Sequence, residues 1–457
     1  MLGVRTQAPQ VTILPEWPLW ERALRTKGES PARAELGLDT AHPIVFSGHQ
    51  PIVFHNGILA KFIAQHRAAQ VCGAARVWIV ADQDVVNPGI MRIPEGTGAE
   101  LHEKTIELYE QVAVSEGVPS ASIPAQRITS RHSEQSEIIS NLIRALDVEH
   151  RSLSRSLIHL SPDVRKYLDS NSLATQFSNA TIKVICERLL VSHPKLIYAS
   201  KLFTSDMLWG AVERMMADPQ ACVGAYNDAV ARYPEARVRP LEIGDTRVEL
   251  PLWGLRTMQA RVAITTDNFH EFSREELAPR GLFMSLLVRA HLGELFIHGT
   301  GGWEYDKITQ DWARDWLGIE LSPMAMATAT QRLDLGFEPE QIIDPARAIW
   351  EAHHARHNPS AVGDHETQRK KEMCLKHIAE MQKHDEDPSA MYFKMHALLE
   401  EYRAFYADKL AGFDERVRVA RSMQRQLELA GDRTWPFVLF SDEQLAALRD
   451  AVAQAMQ

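Results

Sequence analysis

Two rhythms of apolar residues run along this chain. Ile44-Val45-Phe46 and Val77-Trp78-Ile79-Val80 are continuous apolar runs, the pattern of strands buried on both faces. Between them Ile58, Leu59, Phe62 and Ile63 recur at helical spacing, with Lys61 and Gln65 in the gaps. Residues 44–87 therefore predict strand, polar loop, helix and strand. Polar residues stand at the carboxyl end of each run: Ser47-Gly48-His49-Gln50 and Asp82-Gln83-Asp84. Open parallel sheets bind ligands at those ends, so the candidate site is placed there.

Residues 1–43 read as an irregular leader packing on the core, punctuated by Pro9, Pro15, Pro18 and Pro31, with one short helix at 19–25. A strand is expected at 91–94, and helices at 136–146, 172–190, 206–217 and 219–231, with a strand at 195–199. Two more strands are expected at 247–253 and 259–264, and Pro251 suggests an edge. Helix 281–291 leads into strand 292–297 and then a glycine loop, His298-Gly299-Thr300-Gly301-Gly302. Helix 306–317 follows, closed by Gly318, and 323–332 reads as a strand.

Beyond Phe337 strand signals vanish until Phe437–Phe440, and 342–357, 366–384, 388–411 and 413–430 are charged and helical. Leu398, Leu399, Tyr402, Tyr406 and Leu410 keep helical spacing there. The fold class expected is α/β. A Rossmann-like parallel-sheet core spans 44–336 with a helical insertion around 100–190, and a helical or coiled-coil appendage spans 337–457. Such an appendage offers a homodimer surface.

A length of 457 residues suits two or three domains, and 45% apolar with 24% charged residues is ordinary for a globular chain. The net charge of −10 supplies no cation excess for a nucleic-acid partner. No run of about 18 apolar residues predicts a membrane span, and the N-terminus lacks the apolar core of a signal peptide. Cys72, Cys186, Cys222 and Cys374 form no CxxC pair. They predict neither a zinc site nor a disulfide framework, and fit a reducing cytoplasm.

Chemistry concentrates in three stretches. His49 and Gln50, with His55 and Asn56, stand at a strand-to-helix junction. A neutral imidazole exchanges protons near pH 7, and the amides of Gly48 and Gly57 beside a helix start favour an anion. Lys61, one turn on, adds a cation. The plainer account is a loop whose histidines cap backbone groups, with Lys61 on the surface. Asp82 and Asp84, with Asn87, suit a metal, a ribose hydroxyl or an amine; the plainer account is an Asx turn before Pro88-Gly89. The third stretch runs from His298 through Gly299, Gly301 and Gly302 to Tyr305 and Asp306. Its glycines let backbone approach a ligand and line up amides for an anion, or simply pack a tight turn. It is neither a Walker loop nor a complete GxGxxG. Arg280, beside the preceding helix, suits a carboxylate or phosphate, or solvent.

These three stretches together resemble a family. Ser-Gly-His49-Gln50-x3-Phe54-x2-Gly57-x3-Lys61 resembles the Gly-Gln-Gln…Gly…Lys opening of the bacillithiol-biosynthesis cysteine-adding enzymes. The run Trp78-Ile-Val-Ala-Asp82-Gln-Asp84 resembles that family's Trp-Ile-Ala-x-Glu-Asp-His-Asp, one residue shorter. Leu277-Ala-Pro-Arg280, the following helix and strand, and the glycine loop resemble its arginine-bearing helix and Gly-Gly-x-Gly-Glu loop, in the same order. The resemblance is thin and spans about two-thirds of the chain. It implies a Rossmann-like nucleotide-binding core, a coiled-coil arm, and the joining of a cysteine carboxyl to a sugar amine. His49 stands where the family has glutamine, Gln83 where it has histidine, and the acidic residue of the loop falls elsewhere. These departures point to a divergent member acting on other molecules.

The expectation is then a ligase that condenses an amino acid, cysteine among the candidates, with an amine-bearing small molecule, using ATP or another nucleotide. In it His49 or Asp84 takes the proton and Asp82 orients the amine or ribose. The amides of 299–302 and Lys61 hold phosphate or carboxylate. Two other enzyme classes stay open, as does a non-enzymatic binding module that dimerises through residues 340–430. The first loop is similar to the His-x-Gly-His grip of Rossmann-class nucleotidyltransferases, without its final histidine. A metal-dependent hydrolase would use His49, His55, Asp82 and Asp84 as ligands.

Overall fold

The computed structural model describes residues 8–95, 102–107, 116–126, 166–167, 170–333 and 343–457. The helix expected at 136–146 and the composition shift near Phe337 lie outside them. The chain divides into two compact units. One is an α/β unit made of Arg5–Ile93, Lys104–Leu333 and Asp432–Gln457; the other is largely Asp334–Gly431.

The α/β unit is built on a mostly parallel, six-stranded sheet. In chain order it begins with β1 (Gln10–Leu14), α1 (Trp17–Ala23), α2 (Pro31–Glu35), β2 (Ile44–His49), α3 (Asn56–Cys72) and β3 (Ala75–Val80). A separate two-stranded sheet pairs β4 (Ile90–Glu95) with β5 (His102–Glu107). Next come α4 (Leu173–Leu189), β6 (Lys195–Tyr198), α5 (Asp206–Ala217) and α6 (Pro219–Arg232). A small antiparallel sheet follows, made of β7 (Glu249–Gly254), β8 (Val262–Thr265) and β9 (Leu277–Pro279). The chain then returns to the main sheet through α7 (Gly281–His291), β10 (Leu295–His298), α8 (Thr300–Leu317) and β11 (Met324–Thr330).

The strand order is β1-β11-β10-β2-β3-β6, with β1 antiparallel to β11 and every other pair parallel. From β2 the chain first winds outward to β3 and β6. It then crosses back and winds the other way through β10 and β11. The direction reverses between β2 and β10, so a crevice opens at their carboxyl ends, where helices depart to opposite sides. His49 ends β2 and His298 ends β10, one at each lip of that crevice.

Alternation along the strands divides the core. Ile44, Phe46, Val77, Ile79 and Phe296 pack with Val212, Leu286, Leu287 and Trp312 of the helices on one face. Trp78, pointing the other way, meets Phe54 and Phe62 at 5.3 and 5.2 Å between ring centroids. Helices therefore cover both faces, which is why these strands are apolar throughout.

Three expectations need correction. The leader is not irregular, because residues 10–14 form the antiparallel edge strand β1 and Arg33 of α2 is ion-paired with buried Glu294. Pro251 is not on an edge, because β7 lies between β8 and β9. It fits there because the β7–β8 register breaks between Glu249 and Trp253, so no ladder donor is needed at that position. Phe437–Phe440 is not a strand: a 3-10 turn covers Phe437–Leu439 and all four residues are buried. A short apolar run carries no period that separates these cases. Phe437 N donates to Phe54 O at 2.7 Å, which fastens this segment to the loop before α3. After it α13 (Asp442–Ala455) packs on α3, α4 and β1.

The second unit holds α9 (Pro345–His357), α10 (His365–Lys383), α11 (Ser389–Phe405) and α12 (Ala407–Gly431). Leu399, Tyr402 and Leu410, three of the spaced residues, enter its core with Ala355, Cys374, Ile378 and Met395. Tyr402 Oη donates to Ala355 O at 2.7 Å, satisfying the one polar atom that residue buries.

Candidate active site

The carboxyl ends of β2, β3 and β10 open into a cavity of about 420 Å³. Twelve of the residues expected at a site line it: Gly48, His49, Gln50, His55, Gly57, Lys61, Asp84, His298, Gly299, Gly301, Gly302 and Tyr305. Residues separated by some 250 positions in sequence thus meet because β2 and β10 are adjacent.

Glycines make this possible at specific points. A Cβ at Gly48 would fall 2.2 Å from Ile79 O, so only glycine lets β2 lie against β3 there. A Cβ at Gly57 would meet the His55 ring at 2.8 Å and Arg433 at 3.0 Å. At Gly302 it would sit 2.6 Å from His298 Nδ1. Gly299 and Gly301 differ, because nothing lies within 4 Å of a Cβ built on either. They leave open space at the cavity.

The glycine stretch is not a loop before the helix. Gly299 is the N-cap of α8, and Gly301 and Gly302 form its first turn. No side chain caps this helix, and its first bond runs from Trp303 N to Gly299 O at 3.0 Å. The amides of Thr300, Gly301 and Gly302 therefore have no acceptor among the described residues. Such a helix start carries partial positive charge and unpaired donors, the ingredients of an anion site. The start of α7 at Gly281 also lines the cavity and also lacks a side-chain cap.

The two histidines of the first loop are complementary. His49 Nδ1 lies 3.3 Å from Gln50 O, which assigns its proton to Nδ1 and leaves Nε2 an acceptor. His55 Nδ1 accepts from Gly57 N at 3.0 Å, capping α3, so its proton is on Nε2. Burial, reinforced by the charge of Lys61, holds His49 well below the usual imidazole range. Burial with nearby Arg433 and Lys61 pulls His55 down to about 4. Both rings are neutral at pH 7.

Lys61 is 5% exposed and donates to Gly48 O, with its ammonium 5.5 Å from the Trp78 ring centroid. Burial lowers it to about 7. Asp84 is half-buried and held on both oxygens. Gln50 Nε2 donates to one at 3.0 Å and Arg261 Nη1 to the other at 3.1 Å.

Five expected residues do not line the cavity. Asp82 is buried and accepts from Ser200 N at 2.9 Å and Ser200 Oγ at 2.6 Å; burial, opposed by these bonds, raises it to about 6. It braces the turn after β6 rather than an amine. Asp306 is fully buried, bonded to Arg289 at 2.8 Å and to His298 Nε2 at 2.9 Å. Burial would raise its carboxyl, but the charges of His298 and Arg289 hold it well below the usual range. Its place is behind His298, whose orientation it sets. Arg280 pairs with Glu249 at 2.8 Å and stacks 4.0 Å from the Trp253 centroid. Asn56 bonds Gln331 at 2.8 Å, and Asn87 accepts from Gly89 N at 3.0 Å, the Asx turn that the sequence left open.

Sequence reasoning missed Arg433, Thr434, Thr328, Met284 and Ser285, which also line it. Arg433 Nη2 donates to Thr328 Oγ1 at 3.1 Å. Its only sequence signal is a charged pair, Asp432-Arg433, beside the buried Trp435-Pro436-Phe437 anchor. Arg261, which holds Asp84, was also missed.

The four ligands expected of a hydrolase do not gather, since Asp82 is bonded to Ser200. Among the described residues no group of three His, Cys, Asp or Glu side chains could hold a metal ion. No helix among them is long and apolar enough to cross a membrane.

No protein-family model and no curated protein matches this chain. One solved structure similar to it is a "putative arginyl t-RNA synthetase" from Campylobacter jejuni, at 9% identity over 96% of this chain and 97% of that one, with a TM-score of 0.23. At that score nothing about the chemistry of this chain rests on the likeness.

Proposed function

We propose that this chain is a Rossmann-like ligase that joins the carboxyl group of an amino acid to the amine of a second small molecule, with nucleotide assistance. The observation that carries this reading is the uncapped start of α8, open at Gly299 and Gly301, on the same cavity as Lys61 and Arg433. Unpaired amides, space that a Cβ would fill, the Arg433 guanidinium and the Lys61 amine suit a phosphate or carboxylate. The strand order supports the Rossmann-like assignment, because the cavity sits where winding reverses. The motif resemblance supports the reaction class, with cysteine as the first amino acid to test, and the departures at His49 and Gln83 leave the amine partner different.

A nucleotide would supply activation of the carboxyl, and the amides of 300–302 with Arg433 are the groups that would hold its phosphates. The chain's own residues do the rest. Asp84, fixed by Gln50 and Arg261, orients the incoming ammonium. His49 Nε2, neutral and unprotonated, accepts its proton. Developing negative charge faces the α8 amides, which need no rearrangement to stabilise it.

The test is mass spectrometry of the full chain with ATP, magnesium, cysteine or other amino acids, and a panel of amino sugars and amines. A nucleotide-dependent rise in melting temperature is measured alongside. His49→Ala and Asp84→Asn are each expected to lower product formation by about 10²-fold or more. The reading fails if no nucleotide shifts melting and neither substitution lowers turnover. Pyrophosphate release with an alcohol and no amide product would instead assign a nucleotidyltransferase.

The proposal includes a homodimer formed through the helical unit. Trp350, Phe393 and Phe405 are 61%, 76% and 81% exposed there, far more than an isolated surface needs. Light scattering should report a dimer for the wild type and a monomer for Phe405→Glu; a monomeric wild type removes this part.

A further inference from the structure

Among the described residues four cations are buried: Arg33, Lys61, Arg76 and Arg289. Arg33 is paired with Glu294 and Arg289 with Asp306. Arg76 has no carboxylate, but its guanidinium bonds Ser192 O and Oγ, Phe62 O and His66 Nδ1. Lys61 has neither a carboxylate nor such a cage. Its recorded partners are one carbonyl, Gly48 O, and the face of Trp78. A guanidinium stays charged in any protein, whereas an amine escapes an unpaired buried charge by releasing its proton.

The surroundings favour that release. Lys61 stands one turn inside α3, on a cavity that also receives the starts of α7 and α8 and the Arg433 guanidinium. All of these are positive, and the two first-loop histidines beside them are neutral acceptors or donors rather than anions. The one carboxylate on the lining, Asp84, is taken by Gln50 and Arg261. A neutral primary amine on a cavity is a nucleophile.

We propose that Lys61 forms an imine with the carbonyl carbon of a small anionic aldehyde or ketone, a 2-oxo acid or a phosphorylated aldehyde, whose anion rests on the α8 amides and Arg433. The lone pair of Nζ adds to the carbonyl carbon, giving a carbinolamine. The two protons of the neutral amine pass to the departing oxygen, which leaves as water, and a C=N bond replaces the C=O bond. His49 Nε2, an acceptor on the same cavity, relays the proton between nitrogen and oxygen. The depressed affinity of Lys61 for protons agrees with this, since about half the amine is free near pH 7. This activity goes beyond the ligase reading and neither needs nor excludes it.

The test uses the full chain with sodium cyanoborohydride, which reduces imines to stable amines, followed by peptide mapping. The probes are pyruvate, glyceraldehyde 3-phosphate and neutral propanal, and they distinguish a carboxylate tail from a phosphate tail. With either anionic probe the adduct is expected on Lys61 at least tenfold above exposed Lys27 and Lys370 in the same digest. Propanal should show no such preference, and inorganic phosphate should suppress the Lys61 adduct. The rate of trapping should rise with pH to a plateau with a midpoint near 7. Lys61→Arg, which keeps the cation, should give no adduct in this region while melting as a folded protein. Labelling of Lys61 no faster than of Lys27 and Lys370, at any pH and with every probe, overturns the proposal. Because no nucleotide is present, the outcome is independent of the ligase assay.

Discussion

Asp306→Asn is expected to destabilise the α/β unit by about 3–5 kcal/mol, the usual cost of removing one partner from a buried ion pair. Asp306 is fully buried between Arg289, 2% exposed, and His298, 4% exposed. Asparagine keeps the shape but leaves the Arg289 charge uncompensated. Arg289 Nη1 and His298 Nε2 share one carboxylate oxygen of Asp306, and the neutral amide oxygen of asparagine is a weaker acceptor for both. The imidazole ring, stacked on Phe296 at 4.4 Å and crowding Gly302, is then oriented by a weaker bond. Ligand binding at the start of α8 should weaken together with stability. The wild type should show the matching pH dependence. The folded pKa of Asp306 is depressed below the unfolded value of 3.8. Its contribution is therefore complete above about pH 4 and is lost as pH falls through the depressed value. Urea unfolding between about pH 2 and 7 should show this acid limb in the wild type and a shallower one in Asp306→Asn. Equal midpoints at pH 7 would mean that the pair is not buried as described.

Lys61→Met is expected to act in the opposite direction. Burial lowers Lys61 to about 7, against 10.5 when unfolded. Between those values the unfolded chain binds more protons than the folded one, so wild-type stability rises with pH across that window. Below about pH 7 the folded chain carries the full penalty of a buried, unpaired ammonium. Methionine fills a similar volume without charge, and replacing a buried charge by an apolar side chain is neutral to stabilising by about 1–4 kcal/mol. The variant should thus melt higher than the wild type at about pH 6, and the gap should close towards pH 10. It should also lose imine trapping. Lower stability at pH 6 would show that the bond to Gly48 O outweighs desolvation.

How much of this was legible beforehand can be judged element by element. The unit 44–80 was legible because its signals are local: two apolar runs, a helical period, and polar residues at the strand ends. The helix Gly281–His291 and the left-handed Gly318 after Leu317 were legible for the same reason. The start of α8 was misread because three glycines argue for a turn. Gly301 and Gly302 are helical here and Gly299 is their N-cap; Gly299 and Gly301 leave the cavity open and Gly302 makes room for His298. Asp82 and Asp84 looked equivalent two residues apart. A strand end sends them to different surroundings, one to Ser200 and one to the cavity, and that choice depends on β6 lying beside β3. Residues 10–14 gave no strand signal of their own strength, and their pairing with β11 is a contact across more than 300 positions.

Chain chemistry alone determined the strands and helix of 44–80, that those strands would be buried on both faces, and which polar residues stand at their carboxyl ends. Tertiary structure alone decided that β10 lies against β2, that Arg433 reaches the same cavity, and that Lys61 is buried without a carboxylate. The reason is one of range. Period and capping act within a few residues, whereas adjacency in a sheet and the desolvation of a charge depend on which distant segments exclude water together.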